Sequence, residues 1–149
     1  MTHEVEMDGI TASDDKARID LDTVHDFLRT SYWAEGIPRE TVERSIRNSL
    51  VMGLYDGDRM IGFSRVVTDY TTFAYIGDVF VLEAWRGRGL AVWLTQCLVG
   101  HPELQGMRRW LLATRDAHGV YAKVGFTSLA APQSMMTIHN PDIYKKGEL

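Results

Sequence analysis

Cysteine is almost absent from this 149-residue sequence, which contains only Cys97. A single cysteine excludes an internal disulfide and a zinc site built from cysteines, and we expect no metal cofactor. Long apolar runs are also missing, so no segment reaches the length of a membrane span. The start of the chain, Met1-Thr2-His3-Glu4, lacks the basic and apolar regions of a secretory signal. We therefore expect a cytoplasmic protein without a membrane partner.

The chain has no excess of basic charge. Its 16 basic and 20 acidic residues give a formal charge of -4, which argues against a protein that mainly binds nucleic acid. The length and the hydrophobic content of 45% allow one domain with a sizeable core. Residues 1–17 are polar and low in aromatics, so we expect a flexible leader there and a single domain over residues 18–149.

Apolar spacing predicts two helices followed by a hairpin. The first helix begins after a cap at Asp20 or Asp22, and the second has Pro38 in its first turn. Their apolar positions are Val24, Phe27 and Leu28 in the first and Val42, Ile46 and Leu50 in the second. Strands over residues 50–55 and 60–68 then flank Asp56-Gly57-Asp58-Arg59, because Asp-Gly is the pair that a tight hairpin turn prefers.

The second half of the chain alternates strands and helices. The segment Thr72–Leu82 is apolar on both alternating faces, which is typical of a central strand. The later predicted elements are a helix from Leu90 to Leu98, a strand over Trp110–Thr114, a short helix over Ala117–Lys123 capped by Asp116, and a strand near Met135–His139. This order describes a mixed α/β sheet covered by helices.

A glycine-rich turn, Arg86-Gly87-Arg88-Gly89-Leu90-Ala91, joins the central strand to the following helix. Glycines let the backbone approach a ligand closely, and the first N–H groups of a helix attract anions. The turn lacks the Lys-Ser/Thr ending of an ATP-type phosphate loop and the third glycine of a dinucleotide fingerprint. Taken alone, these six residues fit a phosphate site and a flexible basic turn equally well.

Two motifs, in this order, resemble those of the GNAT N-acetyltransferase superfamily. Arg86, Gly89 and Ala91 match its Gln/Arg-x-x-Gly-x-Gly/Ala signature, and Tyr121, Gly125 and Phe126 match its Tyr-x-x-x-Gly-Phe signature. Ala91 in place of the second glycine is a variant that the family allows. The resemblance implies a mixed, largely antiparallel sheet with helices on both faces.

The resemblance also implies acetyl-CoA as the cosubstrate. Backbone N–H groups of the glycine turn would hold its pyrophosphate. The strand Thr72–Leu82 would separate from the next strand, so that free backbone groups near its end bind the pantetheine arm. The residues implied in cofactor binding are Val79, Phe80, Val81, Arg86, Gly87, Arg88, Gly89, Leu90 and Ala91.

Two residues are candidates for the chemistry. Tyr121 matches the tyrosine that the family often uses to hydrogen-bond the leaving thiolate, and the alternative is a ring packed on Phe126. Asp78 is the one ionisable group in an apolar strand, so it is the candidate general base. Its alternative is a structural carboxylate whose hydrogen bonds hold Gly77 and a bend in the strand. Glu83 and His118 are weaker candidates.

The acceptor side is expected between the first two helices, where the family usually shapes its pocket. Tyr32 could form a wall of this pocket or complete the buried stripe of the first helix, and Glu35 could attract a cation. Trp33 is expected in the core. The resemblance implies transfer of the acetyl group to a primary amine of a small molecule or peptide. We expect the transfer to be direct, without a covalent enzyme intermediate, because Cys97 on a buried stripe is a poor nucleophile. The alternative is a catalytically silent acyl-CoA sensor. A homodimer is among the open oligomeric states.

Overall fold

One six-stranded sheet, whose strands lie side by side in chain order, supports the rest of the structure. The computed structural model describes residues 1–145. The strands are β1 (Glu4–Met7), β2 (Ile10–Ser13), β3 (Leu50–Asp56), β4 (Arg59–Thr68), β5 (Phe73–Val81) and β6 (Arg109–Leu112). The helices are α1 (Leu21–Leu28), α2 (Arg39–Arg47), α3 (Leu90–Val99) and α4 (His118–Ala122).

The strands pair antiparallel except for β5 and β6, which are parallel. A parallel pair needs a crossover connection, and α3 provides it. The predicted hairpin between β3 and β4 is confirmed: Asp56 pairs with Arg59, and Gly57 has a φ of 60°. Asp20 caps α1 as expected, because its carboxylate accepts the backbone N–H of Thr23 at 3.3 Å.

Helices cover both faces of the sheet, which confirms the predicted fold class. On one face, Leu90 and Leu94 of α3 pack against a cluster that includes Met52 of β3. On the other face, α1 and α2 contribute to a second cluster with Val51 and Phe63. Neighbouring residues of β3 thus enter different clusters, as the alternation of side chains along a strand requires.

Residues 4–13 form regular structure, whereas the composition suggests a flexible leader over residues 1–17. They form the β1–β2 hairpin, and β2 pairs with β3, which leaves Ala12 and Ser13 fully buried. The Asp14 carboxylate then binds Nε2 of His101 at 2.7 Å and the backbone N–H of His3 at 2.7 Å. These contacts join residues far apart in sequence, so the local composition does not reveal them.

The C-terminal part also departs from the sequence prediction. The segment Met135–His139 forms no strand, and the predicted Asp116 cap of α4 is wrong because Ala117 holds the N-cap position. The hydroxyl of Thr114 accepts the N–H of Ala117 at 3.0 Å instead. Among residues 1–145, no helix is long and apolar enough to cross a membrane. Residues 146–149 of the predicted domain lie outside the described residues.

Tyr55 gives a prediction on stability. Its buried hydroxyl has no hydrogen-bond partner among the described residues, and a Cβ on Gly53 would lie 2.6 Å from it. Because a buried hydroxyl without a partner lowers stability, we expect Tyr55→Phe to raise the free energy of unfolding by about 1 kcal/mol. Urea denaturation measures this change. The same substitution at Tyr70, which is 47% exposed, should have little effect. Destabilisation by Tyr55→Phe would contradict the prediction.

Candidate functional site

A β-bulge interrupts β5 at Asp78. Phe63 of β4 pairs with Phe80 and Arg65 pairs with Gly77, so two residues of β5, Asp78 and Val79, lie opposite one residue of β4. Asp78 has a φ of 55°, a left-handed conformation that is uncommon outside glycine. A bulge bends its strand and increases the local twist. The second half of β5 is therefore turned relative to the first half.

The ladder between β5 and β6 ends where the bulge begins. It pairs Phe73 with Arg109 and stops at Ile76 and Leu112. Within the described part of the chain, no ladder pair joins β6 to the segment from Gly77 to Val81. This segment therefore presents a backbone edge on the side of β6, where the resemblance leads us to expect separated strands.

The glycine turn lies directly beyond this edge. Gly87 and Gly89 have φ angles of 80° and 73°, and a Cβ on either residue would meet nothing within 4 Å. Open space therefore lies beside both glycines. Gly89 is the N-cap of α3 and offers no side-chain cap, so the first N–H groups of α3 have no partner within the helix. Such a helix start is suited to binding an anion.

The two arginines of the turn contact protein groups. Nε of Arg86 donates to the carbonyl of Val81 at 3.0 Å and so links the end of β5 to the turn. The guanidinium of Arg88 lies 4.7 Å from the ring centroid of Trp85. Arg86 thus supports the shape of the turn, while Arg88 remains exposed on its surface.

Several residues that the resemblance assigns to the cofactor have side chains in the core. Phe80 is 4% exposed and stacks on Phe27 with ring centroids 4.0 Å apart. Val81 and Leu90 are buried in the cluster under α3, and Val79 and Ala91 pack against that cluster. Any contact that Phe80, Val81 and Leu90 make with a ligand must therefore come from the backbone.

The Tyr-x-x-x-Gly-Phe motif ends α4 with a defined hydrogen-bond pattern. The N–H of Phe126 donates to the carbonyl of Tyr121, and the N–H of Gly125 donates to that of Ala122, both at 3.1 Å. This is a Schellman motif, in which Gly125 adopts a positive φ of 109°. The rings of Tyr121 and Phe126 meet edge-on with centroids 6.0 Å apart. The motif thus fixes the Tyr121 ring as well as the helix end.

Tyr121 is half-buried near Tyr32. Burial raises the pKa of the Tyr121 phenol above its usual value, and the neighbouring Tyr32 adds to this shift. The phenol therefore stays protonated throughout the neutral range and can donate a hydrogen bond. The predicted packing of Tyr121 on Phe126 and its availability as a donor are both present, so the two interpretations are compatible.

The segment between α1 and α2 reaches the same region. The Tyr32 hydroxyl accepts the backbone N–H of Arg115 at 3.3 Å, and the Arg115 guanidinium lies 3.8 Å from the Tyr32 ring centroid. Trp33, expected in the core, is 40% exposed and contacts Tyr32 edge-on with centroids 5.0 Å apart. Glu35 is exposed. Tyr32, Trp33 and Arg115 thus form an aromatic and cationic surface near Tyr121.

Asp78 is held by two donors from different elements. Its Oδ1 accepts the indole N–H of Trp33 at 2.9 Å, and its Oδ2 accepts Nε of Arg65 at 2.8 Å in an ion pair. Arg65 also donates from Nη1 to the hydroxyl of Ser49 at 3.1 Å. The structure therefore contains the hydrogen-bonded carboxylate that was the alternative to a general base. Arg65 was not among the residues predicted from the sequence. A signal for it exists, because Arg65 is the lone charged residue in the apolar part of β4, just as Asp78 is in β5.

The weaker candidates lie at the surface or have structural partners. Glu83 and His118 are exposed at the first positions of their helical turns. His25 is half-buried, and its Nε2 lies 3.0 Å from the carbonyl of Ile37. Asp116 is exposed. Within residues 1–145, no side-chain hydrogen bond joins any of these four to the Asp78 carboxylate, and the ring partner of Tyr121 is Phe126.

Comparison with known proteins identifies relatives of this arrangement. The model of the acetyltransferase (GNAT) family matches residues 21–126. A protein of Gibberella zeae named as a candidate acetyltransferase is 28% identical over 74% of this chain and 75% of its own length. A crystal structure from Xanthomonas campestris pv. campestris, described as a candidate acetyltransferase of the GNAT family, is 44% identical with a TM-score of 0.90. The match covers 94% of this chain and 99% of that one.

Two more distant structures contain acetyl-CoA. A predicted acetyltransferase of Clostridium acetobutylicum shares 15% identity with a TM-score of 0.67, over 93% of this chain and 96% of that one. A GNAT family acetyltransferase of Elizabethkingia anophelis shares 15% identity with a TM-score of 0.62, over 81% of this chain and 78% of that one. At this identity the likeness shows a common fold.

Asp78→Asn tests the role of the carboxylate. Asparagine keeps the shape of the side chain and tolerates the left-handed backbone, but it removes the charge that faces Arg65. Because Arg65 and Asp78 are 21% and 12% exposed, we expect a loss of about 2–4 kcal/mol in the free energy of unfolding. Asp26→Asn is the matched control, since its ion pair with Arg29 is exposed. Unchanged stability of Asp78→Asn would contradict a structural role.

Proposed function

Because the chain belongs to the GNAT acetyltransferase family, we propose that it transfers the acetyl group of acetyl-CoA to a primary amine of a small molecule or peptide. The observation that carries this proposal is the open glycine turn at the start of α3, directly beyond the unpaired backbone edge of Gly77–Val81. The turn offers N–H groups to a pyrophosphate. The edge offers N–H and carbonyl groups to the amides of a pantetheine arm.

The space at the turn supports acetyl-CoA as the ligand. Gly87 and Gly89 leave open space beside the backbone, and their positive φ angles direct successive N–H groups to one side. Leu90 and Ala91 would contribute backbone N–H groups of the first helical turn, and Arg88 a cation at the surface. The edge at Val79–Val81 would contribute backbone only, since Phe80 and Val81 are buried.

The reaction needs a neutral amine and a stabilised leaving sulfur. When bound, acetyl-CoA supplies a thioester, whose C–S bond breaks as the C–N bond to the amine forms. A phenol of pKa above about 10 would protonate a thiolate of pKa about 8.5 at a cost of roughly 2 kcal/mol or more, so Tyr121 acts as a hydrogen-bond donor rather than a strong acid. Cys97 takes no part, because burial raises the pKa of its thiol to about 11.

For Asp78, the contacts favour positioning over proton transfer. Both carboxylate oxygens accept hydrogen bonds from fixed donors, one in β4 and one in the segment after α1. Asp78 therefore holds the bulge and the Trp33 ring together, and the amine loses its proton to water. Asp78→Asn distinguishes the two roles. If Asp78 were only a general base, the substitution would lower activity without lowering stability.

The acceptor would enter beside the segment between α1 and α2. Tyr32 and Trp33 present exposed aromatic surface there, and both are linked to elements of the site through Arg115 and Asp78. Glu35 is exposed two residues after Trp33 and would attract a cationic amine before it loses its proton. We propose Tyr32 and Glu35 as acceptor-binding residues on this basis.

Gly89→Asp tests the cofactor site. A carboxylate at the N-terminus of α3 would repel a pyrophosphate, so we expect this variant to lose the thermal stabilisation that saturating acetyl-CoA gives the wild type, about 5–10 °C at 100 times its Kd. Gly106→Asp is the matched control, because Gly106 has a φ of 79° and equally open space. It should keep the full shift. If acetyl-CoA stabilised Gly89→Asp and Gly106→Asp equally, the pyrophosphate would have to bind elsewhere.

Tyr121→Phe tests the transfer step. In a thiol-release assay with acetyl-CoA and a panel of amines and peptides, we expect kcat to fall about 10–100-fold with KM for acetyl-CoA little changed. Since the pKa of Tyr121 is raised, its deprotonation should not reduce wild-type activity below about pH 10. Tyr70→Phe serves as the control. If acetyl-CoA bound but released no thiol with any acceptor tested, an acyl-CoA sensor would be favoured instead.

A further inference from the structure

Arg115 follows β6 and places an open guanidinium beside the proposed acceptor side. This guanidinium lies 3.8 Å from the ring centroid of Tyr32, and Arg115 is exposed. Within residues 1–145 the guanidinium forms no hydrogen bond or ion pair, not even with Asp116, its exposed neighbour in sequence. A cation–π contact uses none of the N–H donors of a guanidinium. Arg115 therefore offers hydrogen-bond donors to an anion.

Other arginines of the chain have their charge matched by a carboxylate. The ion pairs involve Arg18, Arg29, Arg39, Arg47 and Arg65. Arg115 instead lies over an aromatic ring, an arrangement that orients the guanidinium without neutralising it.

Tyr32 adds a second donor at the same place. Its hydroxyl accepts the backbone N–H of Arg115 at 3.3 Å. Because the oxygen is the acceptor in this bond, the phenolic proton stays available as a donor. No group within the described part of the chain accepts that proton. A phenolic O–H and a planar guanidinium thus lie side by side, and this pair of donors suits a carboxylate.

An anion at Arg115 would belong to the acceptor rather than to the cofactor. Tyr32 neighbours Tyr121, the proposed donor to the leaving sulfur. The sulfur and the pyrophosphate lie at opposite ends of the pantetheine arm, and we place the pyrophosphate at Gly87 and Gly89. The thioester end of acetyl-CoA carries no charge. Negative charge beside Tyr32 must therefore come from the second substrate.

We propose that the acceptor is an amine with a carboxylate next to its amino group, as in a free amino acid, and that Arg115 and Tyr32 bind this carboxylate. The inference rests on the proposed acetyl transfer and narrows its acceptor class. Glu35 supplies a charge of opposite sign three residues after Tyr32. The site thus has a cationic and an anionic side chain for the two charges of a zwitterion.

The carboxylate keeps its charge through the reaction. The acceptor nitrogen takes the acetyl group and its ammonium form loses two protons, one of which ends on the CoA thiol and the other in water. The contact with Arg115 therefore persists from substrate to product. A polyamine or a lysine side chain fits this arrangement less well, because such an acceptor brings positive charge to the Arg115 guanidinium and no carboxylate.

Free amino acids and their carboxamides, compared as matched pairs in the thiol-release assay, test the proposal. Loss of the carboxylate charge lowers the pKa of the amine, so a lower rate with the carboxamide cannot come from protonation of the amine. We expect kcat/KM for at least one amino acid to exceed that for its carboxamide at least about 10-fold. Equal values within every pair would refute carboxylate recognition and leave acetyl transfer in place.

Arg115→Gln removes the charge that the proposal requires. We expect KM for the amino acid to rise about 10–100-fold, with KM for acetyl-CoA unchanged and the carboxamides as poor as before. Arg108→Gln is the matched control, because Arg108 is also exposed but precedes β6 whereas Arg115 follows it. It should behave as the wild type. A rise in KM for acetyl-CoA with every acceptor would show that Arg115 binds the cofactor and would overturn the proposal.

Binding without turnover separates this inference from the proposed function. Amino acids and their carboxamides are titrated by calorimetry into the protein saturated with CoA, which has no acetyl group to transfer. We expect at least one amino acid to bind, and Arg115→Gln, unlike Arg108→Gln, to weaken its binding at least about 10-fold. Binding that ignored Arg115→Gln would refute the carboxylate site. Binding that depended on Arg115 without thiol release would overturn acetyl transfer alone, and the absence of both binding and release would overturn both.

Discussion

The bulge at Asp78 determines how the rest of the site is arranged. A regular β5 would pair residue for residue with β4 along its whole length. Two residues of β5 opposite one residue of β4 end this regularity, and the ladder with β6 stops at Ile76. The backbone beyond the bulge and the glycine turn after it are consequently left open to a ligand. The proposed cofactor region thus depends on a local irregularity in the sheet.

A left-handed aspartate inside a strand is unfavourable, so the surrounding contacts must stabilise it. Asp78 sits at a φ of 55°, and conformations of this kind cost on the order of 1–3 kcal/mol. The ion pair with Arg65 and the hydrogen bond from Trp33 offset this cost. The same two contacts connect the bulge to β4 and to the segment after α1. Asp78, which interrupts β5, therefore also fixes one wall of the proposed acceptor side.

Much of the fold could be predicted from the sequence, because its signals are local. The spacing of Val24 and Leu28, the Asp-Gly pair at Asp56, and the glycine turn before α3 each define their element within a few residues. The β1–β2 hairpin could not be predicted in this way, since its burial depends on pairing with β3 and on the contact of Asp14 with His101. In the site, the two motifs predicted Gly89 and Tyr121. The partners of Asp78 could not be predicted in this way, because they come from other elements. Arg65 was detectable only by matching lone charges in neighbouring strands.

Met135–His139 shows a different limit of sequence reasoning. Its composition predicts a strand, yet it forms none. A strand needs a partner edge as well as suitable residues, and the open edge of β6 lies beside a groove in the same molecule. Two incomplete edges of the sheet therefore differ in character. Beyond the bulge, the buried side chains of Phe80 and Val81 leave the backbone of β5 for a polar ligand. The outer edge of β6 instead borders apolar side chains such as Trp110 and Phe126.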